Sequence, residues 1–520
     1  MAVGILRWGL CLQRDQVKGY LQRRGIKIPT GMISYLSIDF LLLVEQIHQS
    51  GKGLLEKWFH KHGGMIIHVD ATDEKGGNAL FQIKESRTGI TLYSESLISE
   101  RSEYITPILR DFKKHYGNPL TIVRDMGSAI ISSCEEVFPK VLNQICHYHF
   151  ITALGKRIYK DIFDDLRTEI ISTKIIDELR YLRKSVRVRL KESSVLLFER
   201  HELYWLHMVI DHLLYPLRNP IDYPFRLNYL EFYERVKNVY SQISSGETHN
   251  NISTLKISQY NNIIGQLDRL LRKSKIQTLV EILITLQGWY TQIRKTMRLM
   301  RKDLRENREF SHQEIEEMKR ELSIQIDNIV KDGAKKGGIL QRRSKLIRDN
   351  FDMRWNELFI ELRDADGNFI PLRRDNNIDE QAHRSIRMGF RRRTGRSRTQ
   401  NELYQLGPLI AYFSNLFNEQ YRKIVLNDNE PIMSRLSEQD WSILPFERRK
   451  LFLFSDGVAI PLGDEKRNEL ITEFMKNNSE YPNDEYLKDW LNKMNGLICS
   501  WEMEFVDTDI KFNEIYSTRF

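Results

Sequence analysis

Short apolar runs separated by turn residues fill the stretch from residue 64 to residue 150, and two amphipathic stretches interrupt them. Three successive runs predict strands: MIIHVDAT, NALFQIKES and ITLYSESLI. A helix is predicted over RSEYITPILRDFKKHYG, whose apolar residues share one face. The remaining runs predict a strand at PLTIVRD, a helix at SAIISSCEEVF and a last strand at NQICHYHF. The predicted order is therefore β-β-β-α-β-α-β.

This order of elements is typical of an α/β domain of RNase H-like fold, in which helices flank a mixed β-sheet. A Rossmann unit alternates strand and helix from its start, whereas here three strands precede the first helix. We therefore expect an RNase H-like core in this part of the chain.

Helical spacing dominates on both sides of the strands. Near the N-terminus, Val17 and Leu21 lie one turn apart, Gly25 ends that helix, and Pro29 and Thr30 open another. A helix, a turn containing glycine and a second helix are typical of a helix-turn-helix DNA-binding motif, although an ordinary helical hairpin has the same pattern. The N-terminal segment is therefore interpreted as helix-turn-helix-like.

A long helical region follows the last strand. Ser311 and Glu314 form a capping box that predicts the start of one of its helices. The segment KDGAKKGG, from Lys331 to Gly338, is predicted to be a flexible linker. Three tryptophans are expected in the core of this region: Trp205, Trp289 and Trp355.

The pattern divides the chain into five segments. Residues 1–60 are the helix-turn-helix-like segment, and 61–150 are the first part of the RNase H-like core. Residues 151–370 form a large all-helical insertion. Residues 371–428 return to the core with a basic helix, and 429–520 form a C-terminal segment without an assigned role.

Composition narrows the class of protein. The hydrophobic fraction of 41% in 520 residues is ample for several packed domains. No apolar run approaches the roughly 20 residues that cross a bilayer, and Arg7 and Arg14 interrupt the N-terminus before a signal-peptide core could form. The four cysteines form no C-x-x-C pair, which disfavours a disulfide framework and a zinc finger. We expect an intracellular protein without a membrane partner.

Positive charge is concentrated in one place. The chain carries 79 Lys and Arg against 70 Asp and Glu, a net charge of +9. Between Gln381 and Gln400 there is no acidic residue and there are seven arginines, whose guanidinium groups suit bidentate contacts to phosphate. The seven are Arg384, Arg387, Arg391, Arg392, Arg393, Arg396 and Arg398. We interpret them as DNA-binding residues; the alternative is a solvated helix face.

Two aspartates are predicted to end apolar strands. Asp70 ends HVD in the first predicted strand, and Asp125 ends TIVRD in the fourth. In an RNase H-like sheet these two strands are neighbours, so both carboxylates could serve a pair of divalent ions about 3.5–4 Å apart. Each aspartate alone could equally be an ordinary turn residue.

Four segments, HVDATDE, IVRDMGSAI, CHYHF and RDNNIDEQAHRSIRMGFRRRTGR, together resemble Mutator-like DDE transposases and their bacterial and archaeal insertion-sequence relatives. The resemblance covers most of the chain from Met65 to Gly395. It has two departures: Ala71 stands where glycine is common, and Asp375 stands where threonine is common. The helical insertion carries no matching motif.

The resemblance implies that Asp70, Asp125 and Glu380 bind two Mg²⁺ or Mn²⁺ ions. It implies cleavage at transposon ends and transfer of the freed 3′-hydroxyl into target DNA. The protein would pair DNA ends as a homodimer or higher oligomer. Cys146 and His149 correspond to a C-x-x-H pair on the fifth strand, for which we favour a structural role over zinc binding or a phosphate contact.

The third acid is identified by its helical context. Asn376 and Asn377 are good helix N-caps, and Glu380 then falls in the first helical turn, where the helix dipole favours an ionised carboxylate. Glu380 could instead close a capping box with Asn377. Three other acids compete for the role: Glu357, Glu361 and Glu402.

Alternatives to an active transposase also stay open. One is a domesticated or inactive transposase-derived DNA-binding protein, and another is a hydrolytic nuclease of RNase H-like fold. The N-terminal helices are either the complete DNA-reading module or the remainder of one that lies upstream in an ancestral gene.

Overall fold

The structure is a computed structural model that describes residues 1–72, 79–192, 197–218, 222–244, 257–300, 309–364, 366–375, 377–427 and 432–453. The predicted C-terminal segment 429–520 therefore lies mostly outside the described residues. The chain forms two compact units. The first comprises Met1–Met65, Val69–Asn118 and Asp379–Phe520, and the second comprises Ile66–His68 and Pro119–Ile378.

The predicted order of strands and helices in the first half of the chain is confirmed. The elements are β1 (Ile66–Thr72), β2 (Ala79–Glu85), β3 (Thr91–Leu97), α4 (Ser102–Tyr116), β4 (Thr121–Arg124), α5 (Ser128–Val137) and β5 (Leu142–Ile145). The strands form one sheet in the order β3-β2-β1-β4-β5. Because β2 and β3 are antiparallel while β4 and β5 are parallel, the sheet is mixed.

The remaining helices of the first unit lie at both ends of the chain. Before the sheet come α1 (Ala2–Gly4), which continues as a π-helix to Gly9, then α2 (Arg14–Gln22) and α3 (Thr30–Lys61). After the insertion come α14 (Asn377–Thr394), α15 (Gln400–Ser414), α16 (Glu419–Tyr421), α17 (Ile432–Ser437) and α18 (Leu444–Leu453). Gly25, at a φ of +79°, makes the turn after α2, as predicted.

Helix α3 is, among the described residues, the one helix long and apolar enough to cross a membrane. However, 56% of its most apolar 18-residue window is buried inside the protein. The Phe40 ring meets Phe413 edge to face with 5.9 Å between centroids, and the Asp39 carboxylate accepts hydrogen bonds from Arg448 at 2.6 Å. These contacts are those of a core helix, for which length and composition alone are weak evidence of a membrane span.

Helix α15 and the residue after it cover the edge of β3. The Asn415 side chain pairs with the backbone of Thr91 through two hydrogen bonds of 2.9 Å, one to the N–H and one to the carbonyl. The Tyr412 hydroxyl accepts from the Ser94 N–H at 2.9 Å. Side chains thus satisfy backbone groups that an open sheet edge would expose to other chains.

The second unit is mainly helical, but the prediction that residues 151–370 are all helical is wrong at its end, where two short strands pair within residues 362–370. After α5, its described helices are α6 (His147–Ser172), α7 (Ile175–Arg189), α8 (Leu197–Arg218), α9 (Asn228–Ser244), α10 (Ile257–Arg272), α11 (Ser274–Thr296), α12 (His312–Lys336) and α13 (Gly338–Leu358). The predicted capping box of Ser311 and Glu314 is present at the start of α12. Trp289 is buried and Trp355 is partly buried against the core, but the prediction for Trp205 is wrong because 37% of that residue is exposed.

The prediction of a flexible linker from Lys331 to Gly338 is wrong. Helix α12 continues to Lys336, and only Gly337, at a φ of +70°, separates it from α13. Gly333 is buried where a Cβ would collide with the hydroxyl of Ser344. This glycine therefore permits close packing of two helices and does not provide flexibility.

A buried arginine fixes the segment that leads out of the insertion. The chain makes a small hairpin of β6 (Leu362–Arg363) and β7 (Phe369–Ile370) before it reaches Arg374. The Arg374 guanidinium donates to Gln144 Oε1 at 3.1 Å and to the carbonyls of Leu358 and Ile360, each at 2.9 Å. Arg374 is 2% exposed, and its three hydrogen bonds hold this segment against β5 and the end of α13.

Candidate catalytic residues

Asp70 lies inside β1, two residues before the strand ends, so the prediction that it ends the strand is wrong. It is 4% exposed. In the same unit, His383 of α14 is 1% exposed, and its Nε2 lies 3.6 Å from Asp70 Oδ2. A buried carboxylate is destabilising unless a cation or hydrogen-bond donors compensate its charge. Asp70 is therefore a buried carboxylate with an imidazole as its neighbour.

Asp125 follows β4 directly and is half-buried in the second unit. Its Oδ1 accepts a hydrogen bond of 2.8 Å from the Gly127 N–H, just before α5 begins. This contact is the turn role that aspartate often has at a strand end. Because a carboxylate offers about four acceptor sites, the turn role and metal binding are compatible.

Glu380 lies in α14, three residues after Asn377, the first residue of the helix. Its side chain and that of Asn377 lie outside the described residues, as does Asn376. The predictions that Glu380 is a metal ligand and that it closes a capping box both concern that side chain, so both stay predictions.

Each competing glutamate is held in an ion pair. Glu357 lies 3.1 Å from the buried Arg124 and 2.7 Å from Arg354. The other two pairs are Glu361 with Lys319 at 2.7 Å and Glu402 with Arg396 at 3.3 Å. In each of the three pairs a cationic side chain balances the charge of the carboxylate, and no metal ion is needed for that purpose.

The prediction that the C-x-x-H pair lies on the fifth strand is wrong. Strand β5 ends at Ile145, Cys146 is the N-cap of α6, and His149 lies in the first turn of that helix. The helix forms because Ile151, Leu154 and further apolar residues continue at helical spacing into the core of the unit. Cys146 is fully buried, and its N–H donates to the Arg124 carbonyl at 2.8 Å, which extends the pairing of β5 with β4.

The intervening histidine also has a structural role. His147 is buried, and its Nε2 lies 2.7 Å from the Leu358 carbonyl, which can only accept, so Nε2 carries the proton. Burial, reinforced by the charge of Arg374, lowers the pKa of His147 to about 3. His147 is therefore neutral and fixed near neutral pH.

The seven arginines have different environments. Five are exposed and Arg387 is partly buried; the exposed ones are Arg384, Arg391, Arg392, Arg396 and Arg398. Arg396 also pairs with Glu402. Arg393 is 6% exposed, and its guanidinium lies 4.5 Å from the ring centre of Trp8 and 4.7 Å from that of Phe390. Arg393 thus packs inside the first unit, and the exposed arginines are the better candidates for phosphate contacts.

A second group of potential metal ligands was not predicted from the sequence. His312, Glu316 and Glu361 offer ligand atoms that all lie within 4.8 Å of one another. Lys319 Nζ lies 2.6 Å from Glu316 and 2.7 Å from Glu361, so an ammonium group already compensates both carboxylates. Within the described part of the chain, no comparable group of three includes Cys146 or His149.

His383 is the other residue that the sequence prediction missed. No motif marks it, but it shares a helix face with Ile386 and Phe390, which are 6% and 1% exposed. The helix was predicted to carry a catalytic acid, and His383 is a polar residue on the face of that helix that the apolar spacing predicts to be buried. This position could have identified His383 from the sequence.

The residues described above are the basis for assigning a function. Comparison of the chain with models of known protein families and with curated proteins found no match.

Proposed function

We propose that this protein is a DDE-type DNA transposase with an RNase H-like core. One observation carries the proposal: the sheet has the order β3-β2-β1-β4-β5, with Asp70 in β1 and Asp125 directly after β4. The order has β1 and β4 as neighbours, and these are the strands that hold the first two acids in the transposases this sequence resembles. A long helical insertion before the helix of Glu380 agrees with the same family.

The donor set suits divalent cations. Carboxylates are the preferred protein ligands of Mg²⁺ and Mn²⁺, and the burial of Asp70 favours a bound cation. When two ions are bound, they make a nucleophilic oxygen available at neutral pH and stabilise the charge on the leaving oxygen. The chain's part is to hold the carboxylates of Asp70, Asp125 and Glu380 in position and to orient the DNA.

Glu380 is the third acid in this proposal. The ion pairs of the three competing glutamates favour it, because each of those carboxylates already has a cationic partner. Asp70 also lies against α14, since His383 of that helix is its neighbour. The helix that carries Glu380 thus packs close to the first acid.

DNA is the proposed partner, as transposon ends and as target. Arg391 and Arg392 are exposed in the last turn of α14, where they can neutralise phosphates without base readout. We further propose that the N-terminal helices contribute to recognition of the ends and that two or more copies pair the ends. The proposed location is the nucleoid of a prokaryotic cytoplasm.

The experiment measures cleavage and binding in parallel. DNA that flanks the gene, including any inverted repeats, is incubated with the wild type, Asp70→Asn and Asp125→Asn in Mg²⁺ or Mn²⁺. Asp177→Asn is the control, because the side chain of Asp177 is 73% exposed. We expect both site variants to lose cleavage and to keep most DNA binding, while the control keeps both.

The outcomes separate the candidate functions. Wild-type rates in either site variant would remove that aspartate from the site. Binding without cleavage by the wild type would indicate a DNA-binding protein, and cleavage without strand joining would indicate a nuclease.

A further inference from the structure

A buried imidazole faces the first proposed metal ligand. His383 and Asp70 are both almost fully buried, and they belong to the same unit. The separation of 3.6 Å between Nε2 and Oδ2 is too long for a hydrogen bond, and an imidazolium–carboxylate pair would close to about 2.8 Å. The two groups are therefore neighbours at the distance of an ion pair and beyond that of a hydrogen bond.

That separation is close to the spacing of two ligands on one metal ion. Adjacent ligand atoms about 2.1 Å from an octahedral ion such as Mg²⁺ or Mn²⁺ lie about 3.0 Å apart. The observed 3.6 Å exceeds this value by about 0.6 Å, a shift that rotations of the two side chains can supply. An ion between Asp70 and His383 would also compensate the charge of the buried carboxylate.

The sequence around His383 has a second feature that fits. Glu380 and His383 form a Glu-x-x-His motif in α14, and positions three apart on a helix are neighbours on its surface. Helical Glu-x-x-His motifs supply ligands in two-metal carboxylate sites. We propose that His383 is a further ligand of the metal ion held by Asp70.

This inference rests on the proposed function and specifies its metal. Imidazole is a good ligand for first-row transition ions and a poor one for Mg²⁺, which prefers carboxylates and water. A site with His383 as a ligand binds Mn²⁺ more tightly than Mg²⁺, because Mg²⁺ loses more than a first-row transition ion when an imidazole replaces an oxygen ligand.

The test uses Mn²⁺ alone and the full chain. Free Mn²⁺ is followed by electron paramagnetic resonance during titration, which gives the dissociation constant, and pulsed measurements of bound Mn²⁺ detect ¹⁴N coupling from a coordinated imidazole. We expect ¹⁴N coupling in the wild type. In His383→Gln we expect the coupling to disappear and Mn²⁺ affinity to fall roughly tenfold or more, while Mg²⁺ affinity changes less.

Two further variants and the wild type keep the result interpretable. His312→Gln removes the histidine of the other His/Glu group and should leave the signal unchanged. Asp70→Asn should abolish binding at the site whether or not His383 is a ligand. The wild-type spectrum does not depend on any variant folding correctly.

Failure of this inference differs from failure of the proposed function. If Mn²⁺ binds in an Asp70-dependent way without ¹⁴N coupling, or if His383→Gln retains the coupling, His383 is not a ligand and only the inference is overturned. If Mn²⁺ binding does not depend on Asp70, the metal-dependent function itself is contradicted.

Discussion

Replacing Arg374 with methionine tests how the chain is anchored before the helix of Glu380. The guanidinium makes three hydrogen bonds, and bonds from a charged donor contribute about 1.5–3 kcal/mol each, a gross loss of about 4.5–9 kcal/mol. Burial lowers the pKa of Arg374 to about 10, and this desolvation, which methionine does not incur, offsets part of that loss. Breaking a buried charged network usually costs about 3–5 kcal/mol, and we expect a net destabilisation of that size.

The assay combines urea unfolding with hydrogen exchange. A loss of about 3 kcal/mol lowers the urea midpoint by about 1–2 M at an m-value near 2 kcal/mol/M. Exchange should accelerate in residues 142–147 and 358–375, where Arg374 makes its contacts. Arg373→Met is the matched control, because the neighbouring arginine is only partly buried. Equal stability of the two variants, with unchanged exchange in both segments, would refute the anchoring role.

Three further predictions concern acid stability, DNA binding and helix packing. Burial lowers the pKa of His48 to about 4 and that of His147 to about 3, so the unfolded chain takes up protons first. The stabilisation from neutral His48 is complete above about pH 6.5. By about pH 4.5, His48 alone should lower the free energy of unfolding by about 2–3 kcal/mol, and urea midpoints that do not change over this range would contradict the prediction. Replacing Arg391 and Arg392 with alanine should reduce the salt slope of DNA affinity by roughly 0.9 for each phosphate that the variant no longer neutralises; an unchanged slope would mean a solvated face. Gly333→Val should destabilise the protein by about 1–3 kcal/mol through overpacking, whereas unchanged thermal unfolding would show that α12 and α13 can separate freely.

The sheet could be predicted from the sequence because its strands are short apolar runs bounded by turn residues. Asp70 and Asp125 could be located on their strands for the same reason. The fifth strand was predicted too long, because HYHF fits a strand or a helix equally well when considered alone. Only the apolar residues that follow Phe150 at helical spacing determine that the segment is helical.

Other features depend on tertiary contacts that a local pattern does not contain. Gly333 suggested a flexible linker, but its lack of a side chain serves contact with Ser344 on the next helix. Arg393 looked like a DNA contact, yet it packs against Trp8, which lies near the other end of the chain. His383 was missed because its neighbour Asp70 lies far away in sequence and no short motif joins them.

We propose that an acid on α14 completes a site for DNA strand transfer. The joining of a pre-cut transposon end, with a free 3′-hydroxyl, to target DNA is measured for the wild type and for Glu380→Gln. We expect joined product from the wild type and none from Glu380→Gln, at unchanged melting temperature and DNA affinity. Glu402→Gln, whose carboxylate pairs with Arg396, should join normally. Normal joining by Glu380→Gln, or no joined product from a wild type that binds DNA and metal, would contradict it.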